Sequence, residues 1–356
     1  MVSFMRCFFI PLRGVERNLS TILPRAQEVK GNKMEIKNQS KTKIFTHPIF
    51  VTLTALLCCA LWGSATPFIK TGYELLLPSR DVPSTILFAG IRFTLAGILT
   101  IIIFSIARRR VLYPKLSNMP RVAVISCFQT IIQYIFFYVG LANTSGVKGT
   151  VLSGSSTFFA IIVSCLIFRM EKLNLKKIIA CILGFAGIIV INIKGLTFDM
   201  NLLGDGFVIF SAISLAISSV LIKLFSKHED PVTLSGYQFI LGGAVMIAVG
   251  LGFGGKISFT SFGGVAVLIY LAFLSAIAYS LWGILLKFNP VSKVTVFSFT
   301  TPIFGVILSA IMLKENSNVS VVALLITLAL ISTGIFILNY QRSAKKAIEN
   351  KNSINE

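Results

Sequence analysis

Two stretches decide the fold. Residues Cys127 to Glu171 read CFQTIIQYIFFYVGLANTSGVKGTVLSGSSTFFAIIVSCLIFRME, and 144 positions on, Leu271 to Glu315 read LAFLSAIAYSLWGILLKFNPVSKVTVFSFTTPIFGVILSAIMLKE, an alignment without a gap. Each copy reads as a long apolar helix, a turn, a second apolar helix dotted with small and hydroxyl residues, and a closing glutamate. The turn is Asn143-Thr144-Ser145-Gly146 in one and Asn289-Pro290 in the other, so that the helix breakers Gly146 and Pro290 coincide. Identities are few: Leu141/Leu285, Val147/Val291, Thr157/Thr301, Ile167/Ile311 and Glu171/Glu315. The duplication therefore rests on pattern.

Working outward, 55% of the 356 residues are hydrophobic and 13% charged, against roughly 25% charged in a soluble domain. Crossing a hydrocarbon core of ~30 Å takes about 20 apolar helical residues. Ten stretches approach or exceed that length: 48–70, 84–106, 122–142, 149–168, 177–193, 205–225, 233–252, 262–286, 294–313 and 320–341. The expected fold is all-α and integral to the membrane, with ten transmembrane helices. They form two five-helix repeats, 48–193 and 204–341, between cytoplasmic tails at 1–47 and 342–356. The basic first tail reads as disordered. Met34 is a candidate start within it, because Glu28-Val29 can be encoded by a ribosome-binding sequence.

A formal charge of +20 raises the question of nucleic acid. Distribution answers it. With the N-terminus inside the cell, the inner segments carry nine Lys/Arg before the first span, then five, four, two, two and four; these are 26 of the 33. The outer loops hold Lys70, Arg80, Lys148, Lys194, Lys256 and Lys314, and Arg92 alone lies within a span. This asymmetry puts both termini of a multi-pass cell-membrane protein in the cytoplasm. A nucleic-acid surface would gather its charges on one face among aromatics, whereas these flank spans, so nucleic acid is not an expected partner. Six cysteines show no metal spacing and the two histidines make no cluster, so neither a metal nor a cofactor is implied.

Polar residues at membrane depth carry the functional content. Arg92 lies about eight residues from one end of its span and about fourteen from the other, too deep for easy snorkelling, and costs several kcal/mol unless it faces the bundle interior and is paired. No Asp or Glu lies near the middle of any span. Its candidate partners are backbone carbonyls, a side chain such as Gln133, a helix C-terminus, or an anionic group on a solute; a staple between helices through carbonyls is an equal alternative. In the third span Gln129, Gln133, Tyr134 and Tyr138 share one broad face. Small residues run down the fourth span (Gly146, Thr150, Ser153, Thr157, Ala160, Ser164) and the ninth (Thr295, Ser298, Pro302, Gly305, Ser309), and Gly236, Gly243 and Gly250 recur in the seventh. Such stripes are first of all packing seams. Pro67 and Pro302 are expected to kink or break their helices.

Ile91-Arg92-Phe93 leading to Gly97 aligns, at an offset of 146, with Tyr237-Gln238-Phe239 leading to Gly243, so Gln238 stands where the first half has its arginine. Five helices per half is an odd number, and the second copy must cross the membrane in the opposite sense. These are the inverted repeats that permit two related states facing opposite sides.

Ten spans in two halves, with Leu61-Trp62-Gly63-Ser64, Ala278-Tyr279-Ser280-Leu281-Trp282, Thr301-Pro302-Ile303-Phe304 and Met312-Leu313-Lys314-Glu315 in that order, resemble the EamA-type branch of the drug/metabolite transporter superfamily. Phe158 stands where the first half would repeat Pro302. The resemblance implies a secondary transporter of small metabolites, often an exporter, with a central cavity between the halves. Within it, Trp62, Tyr134, Tyr138, Tyr279 and Trp282 are expected to give flat faces, Gln133, Thr157, Gln238 and Thr301 hydrogen bonds, and Arg92 the charged contact. The first, third, fourth, sixth, eighth and ninth spans would line it in part. Glu171 and Glu315 match the family's recurring glutamate and read as caps and loop anchors. A membrane-embedded enzyme would need deep acid/base or metal groups, and a sensory or structural protein would not require two inverted copies. The partners are thus a small solute, amino-acid-like or an organic anion, and the lipid bilayer.

The charge asymmetry can be tested directly. Cysteines placed at Ser117 and Ser353 are expected to resist an impermeant thiol reagent in intact cells, while one at Asn201 reacts. Labelling of the first two overturns the orientation.

Overall fold

The computed structural model describes residues 43–193, 196, 199–313 and 321–339. Met34, most of the two tails, Lys314 and Glu315 lie outside the described residues. Among the described residues ten helices are long and apolar enough to cross a membrane. They are α1 (Pro48–Leu76), α2 (Val82–Arg108), α3 (Leu116–Ala142), α4 (Gly146–Ile167), α5 (Leu175–Asn192), α6 (Leu202–Phe225), α7 (Pro231–Gly252) and α8 (Phe262–Phe288). The ninth, α9, combines Val291–Thr295, Val296–Thr300 and Thr301–Leu313, and α10 is Val321–Asn339.

Local chemistry fixes where the helices begin. Asp81 accepts from the Ser84 amide at 2.7 Å to cap α2, and Asp230 accepts from the Val232 and Thr233 amides to cap α7, each with a proline in the first turn. Carboxylate caps also favour the positive end of the helix dipole. The Ser79 hydroxyl and the Ser84 amide hold the Asp81 carboxyl below the usual carboxylate range. Ser145, Asn174 and Ser261 cap α4, α5 and α8 in the same way.

Packing couples the halves in a regular pattern: α1 lies on α8 and α9, α6 on α3 and α4, α5 on α10, and α2 on α7. Shifting every helix by five exchanges the first two pairings and returns the last two to themselves. The α2–α7 contact is the closest, because glycines remove the side chains between the backbones. A Cβ at Gly97 would stand 2.5 Å from the Gly236 carbonyl oxygen, and one at Gly90 would stand 3.0 Å from that of Gly243. With an offset of 146 these two contacts are each other's counterpart, as in an isologous interface. Phe93 and Phe239, also counterparts, stack on each other with ring centres 5.1 Å apart and planes at 11°.

The structure bears on three expectations. Pro67 does not break α1, which is one continuous helix of 29 residues. Proline at 67 leaves the Gly63 carbonyl without its intrahelical donor, and α9 packs there: a Cβ at Gly63 would stand 2.8 Å from the Gly305 nitrogen. Protein rather than lipid thus meets the irregular site. In α9 the break precedes Pro302, as the 3-10 stretch Val296–Thr300, and the proline sits in the first turn of the helix that follows, where its missing N–H costs nothing. Finally, the chain is already helical at residues 44–46, with Phe45 stacked on Phe288 at 5.1 Å and its carbonyl bonded by Asn289.

Gly243→Val would push a side chain into Thr94 and the Gly90 carbonyl, 2.4 and 2.7 Å from the new Cβ. Overpacking of this kind costs about 1–3 kcal/mol. The variant is expected to melt lower in detergent, whereas Gly252→Ala, with nothing within 4 Å of the new Cβ, melts like the parent. Equal melting temperatures would mean that α2–α7 packing does not limit stability.

Candidate functional site

Trp62, Arg92, Tyr134, Tyr138, Tyr279 and Trp282 meet where α1, α2, α3, α7 and α8 converge. Trp62 packs edge-on against Tyr279 and Trp282, with ring centres 5.2 and 4.9 Å apart. The hydroxyls of Tyr134 on α3 and Tyr279 on α8 are 2.8 Å apart, a hydrogen bond across the two halves. Tyr134 also neighbours Tyr138 and Phe93, and Phe239 contacts Tyr279 edge-on at 4.9 Å. Edge-to-face pairs of this kind each add about 0.5–1.5 kcal/mol beyond burial, so the cluster is a cohesive plug as well as a set of flat faces.

Arg92 projects into this aromatic assembly and is 4% exposed. Its guanidinium carbon lies 4.3 Å from the centre of the Phe93 ring and 5.8 Å from that of Tyr134. Cation–π contacts return about 2 kcal/mol when desolvated, less than the several kcal/mol that burying the charge costs. Among the described residues Arg92 belongs to no ion pair, and its Nε has no hydrogen-bond partner. The acids lie at the helix ends: Glu74 pairs with Arg80, Asp230 with Arg108, Asp205 with Lys148 and Glu171 with Lys177. Trp62 Nε1, the Tyr73 hydroxyl, Gln133 Oε1, Gln238 Nε2 and Thr301 Oγ1 are also buried without protein partners. Buried polar groups normally have partners, so the unpartnered Trp62 Nε1, Tyr73 hydroxyl and Arg92 Nε beside the aromatic cluster mark a place suited to a polar ligand.

Six of the ten expected residues form one group and two, Thr157 and Gln238, bond neighbouring helices, while Gln133 and Thr301 each keep a buried oxygen without a protein partner. Trp62, Arg92, Tyr134, Tyr138, Tyr279 and Trp282 form one connected cluster. Thr157 lies elsewhere, donating at 3.1 Å to the Thr295 carbonyl and so tying α4 to α9. Gln238 Oε1 accepts from Thr130 at 2.7 Å, beside a π-helical turn of α3 at Cys127–Ile132. The cluster thus draws on α2 and α7, which were expected to supply Arg92 and Gln238 but were not counted among the lining spans. Phe93, Phe239 and Tyr73 were also missed; the offset of 146 that pairs Arg92 with Gln238 pairs the two phenylalanines as well. Glu171 caps a helix, but one in the other half, receiving the Val291 and Ser292 amides and the Ser292 hydroxyl at the start of α9. Burial pushes its carboxyl up, but the bonds from Ser292 and Lys177 together with the Lys177 charge outweigh this and leave it below the usual range. Among the described residues no group of His, Cys, Asp and Glu could hold a metal ion.

The sequence matches the model of the EamA-like transporter family twice, over residues 49–193 and 202–340. The chain belongs to that family. A chloroplastic WAT1-related protein of Arabidopsis thaliana is 26% identical over 294 residues, 77% of this chain and 68% of that one. A Bacillus subtilis transporter, YvbV, is 26% identical over 304 residues, 83% of this chain and 94% of its own length. A solved crystal structure superposes with a TM-score of 0.67 at 18% identity, over 81% of this chain and 96% of that one, and so shares the fold. This EamA-family chain is accordingly a multi-pass membrane transporter and not an enzyme.

The hydroxyl pair at the centre can be weighed by a double-mutant cycle. Tyr134→Phe leaves the Tyr279 hydroxyl buried and unpaired, at a cost of about 1–3 kcal/mol, whereas removing both hydroxyls is nearly neutral. Denaturant unfolding in detergent is expected to rank the double Tyr134→Phe/Tyr279→Phe variant above Tyr134→Phe alone. The reverse ranking would show that the pair does not bond across the halves.

Proposed function

We propose that this transporter is a secondary carrier of a small carboxylate-bearing solute, an amino acid or organic anion. It works by alternating access between two inverted five-helix halves, with both termini in the cytoplasm. One observation carries the substrate class: a buried guanidinium lies against aromatic faces with its Nε unpartnered and no acid beside it among the described residues. A carboxylate would supply the missing charge and accept charge-assisted hydrogen bonds, and the Trp and Tyr faces would hold the remainder of the solute. A purely cationic solute would meet repulsion. The reciprocal α2–α7 contacts and the exchange of packing pairs between the halves support the inverted arrangement. Export is the direction that the family resemblance implies.

The described residues place no carboxylate at the centre; Glu74 and Asp205 lie at helix ends, already paired. Exchange or facilitated diffusion therefore fits better than coupling through a central proton acceptor. Arg92→Gln copies the Gln238 of the other half and tests the reading. Charged hydrogen bonds are worth about 1.5–3 kcal/mol, so affinity for carboxylate-bearing solutes is expected to fall roughly 10- to 100-fold in reconstituted uptake of a labelled metabolite panel, while uncharged solutes change little. Unchanged affinity in a folded variant makes Arg92 a structural staple and removes the charge argument.

A further inference from the structure

The two copies of the founding repeat carry equivalent residues at Lys148 and Ser292, 144 positions apart, in the first turns of α4 and α9. Each turn is gripped by a carboxylate from the other half. Lys148 Nζ pairs with Asp205 Oδ2 at 2.7 Å, with side chains 9% and 0% exposed. Asp205 is also held by the Asn201 amide at 2.9 Å and by the Thr144 hydroxyl, so it joins α6 of the second half to α4 of the first. At the other end of α4, Glu171 of the first half receives the Val291 and Ser292 amides and the Ser292 hydroxyl of α9, while Lys177 bonds its second oxygen at 2.9 Å.

The two grips thus hold equivalent turns, one at each end of the bundle, and each ties one half to the other, although the two carboxylates are not themselves counterparts. Both are made here, and Tyr138, Tyr279 and Trp282 of the central cluster are buried. A buried ion pair is costly to break when its partners stay buried, but cheap when water enters as it parts. Water has a short way to go at the Lys148 end, since Thr144, Lys148 and Asn201 line an open depression of about 370 Å³. Such a contact is bistable: firm while the end is closed, solvated once it is open.

We propose that Lys148–Asp205 and Glu171–Ser292 are the two gates of the carrier, outer and inner, and that each cycle breaks one while the other holds. The assignment rests on the alternating-access reading above, but its test needs no solute. In a full-length chain with its six native cysteines replaced by alanine, Gln133→Cys serves as a reporter beside the central cluster. Its reaction with a sulfonated maleimide is followed from each face, in right-side-out and inside-out vesicles. Asp205→Asn is expected to raise labelling severalfold from the outer face and lower it from the inner one, and Glu171→Gln to do the opposite. The charge swap Lys148→Asp/Asp205→Lys should return labelling toward the parent, which a merely destabilised protein would not do. Labelling that changes equally from both faces, or a swap that behaves like Asp205→Asn, overturns the proposal. The carrier reading fails separately, if reconstituted vesicles take up none of the labelled metabolites, and the substrate class fails on Arg92→Gln; neither result touches the sidedness of labelling.

Discussion

Everything in this fold depends on how closely two helices can approach without a hydrophobic drive to bring them together. Lipid tails are as apolar as leucine, so α2 and α7 gain by close contact of their backbones and by little else. Glycine at 90, 97, 236 and 243 makes that contact possible. Because Gly97 meets Gly236 while Gly90 meets Gly243, the two helices present the same face to each other. Phe93 and Phe239 then stack on one another, and the residues beside them, Arg92 and Gln238, occupy counterpart positions.

Those counterparts break the equivalence of the halves. Gln238 is neutral and is satisfied in part by Thr130. Arg92 carries a charge that its aromatic neighbours compensate only partly. A duplicated scaffold has thereby gained one electrostatically distinct side, where a single solute orientation would be preferred. The surrounding tyrosines and tryptophans come from both halves, and the Tyr134–Tyr279 bond crosses between them. Any movement of one half against the other must rearrange that contact. Ion pairs, by contrast, sit toward the ends of the helices, where water can replace a lost partner.

The residues that lined up in one dimension did so for reasons of different strength. Arg92 was legible because a charge in the middle of an apolar span is expensive wherever it points. Trp62, Tyr279 and Trp282 were legible as short motifs, and the structure puts them in contact. Thr157 was not: a threonine in a small-residue stripe can face a cavity or bond a neighbouring backbone, and here it bonds the Thr295 carbonyl. Pro67 leaves its helix unbroken because the loss of one hydrogen bond within a helix of 29 residues is tolerable where another backbone covers it.

The sequence by itself determined the number of spans, the duplication and the presence of a deep cation with no acid near the middle of any span, since these follow from hydrophobic length, repeat spacing and the cost of charge in lipid. Packing between distant segments decided the rest. Glu171 is a cap in either view, but its target, α9, lies 120 residues away. Likewise Asp205, the first residue of the apolar stretch 205–225, proves wholly buried against Lys148. Which helix a side chain meets depends on rotations and crossings that apolar periodicity leaves open, because in a membrane nearly every face of a span is apolar.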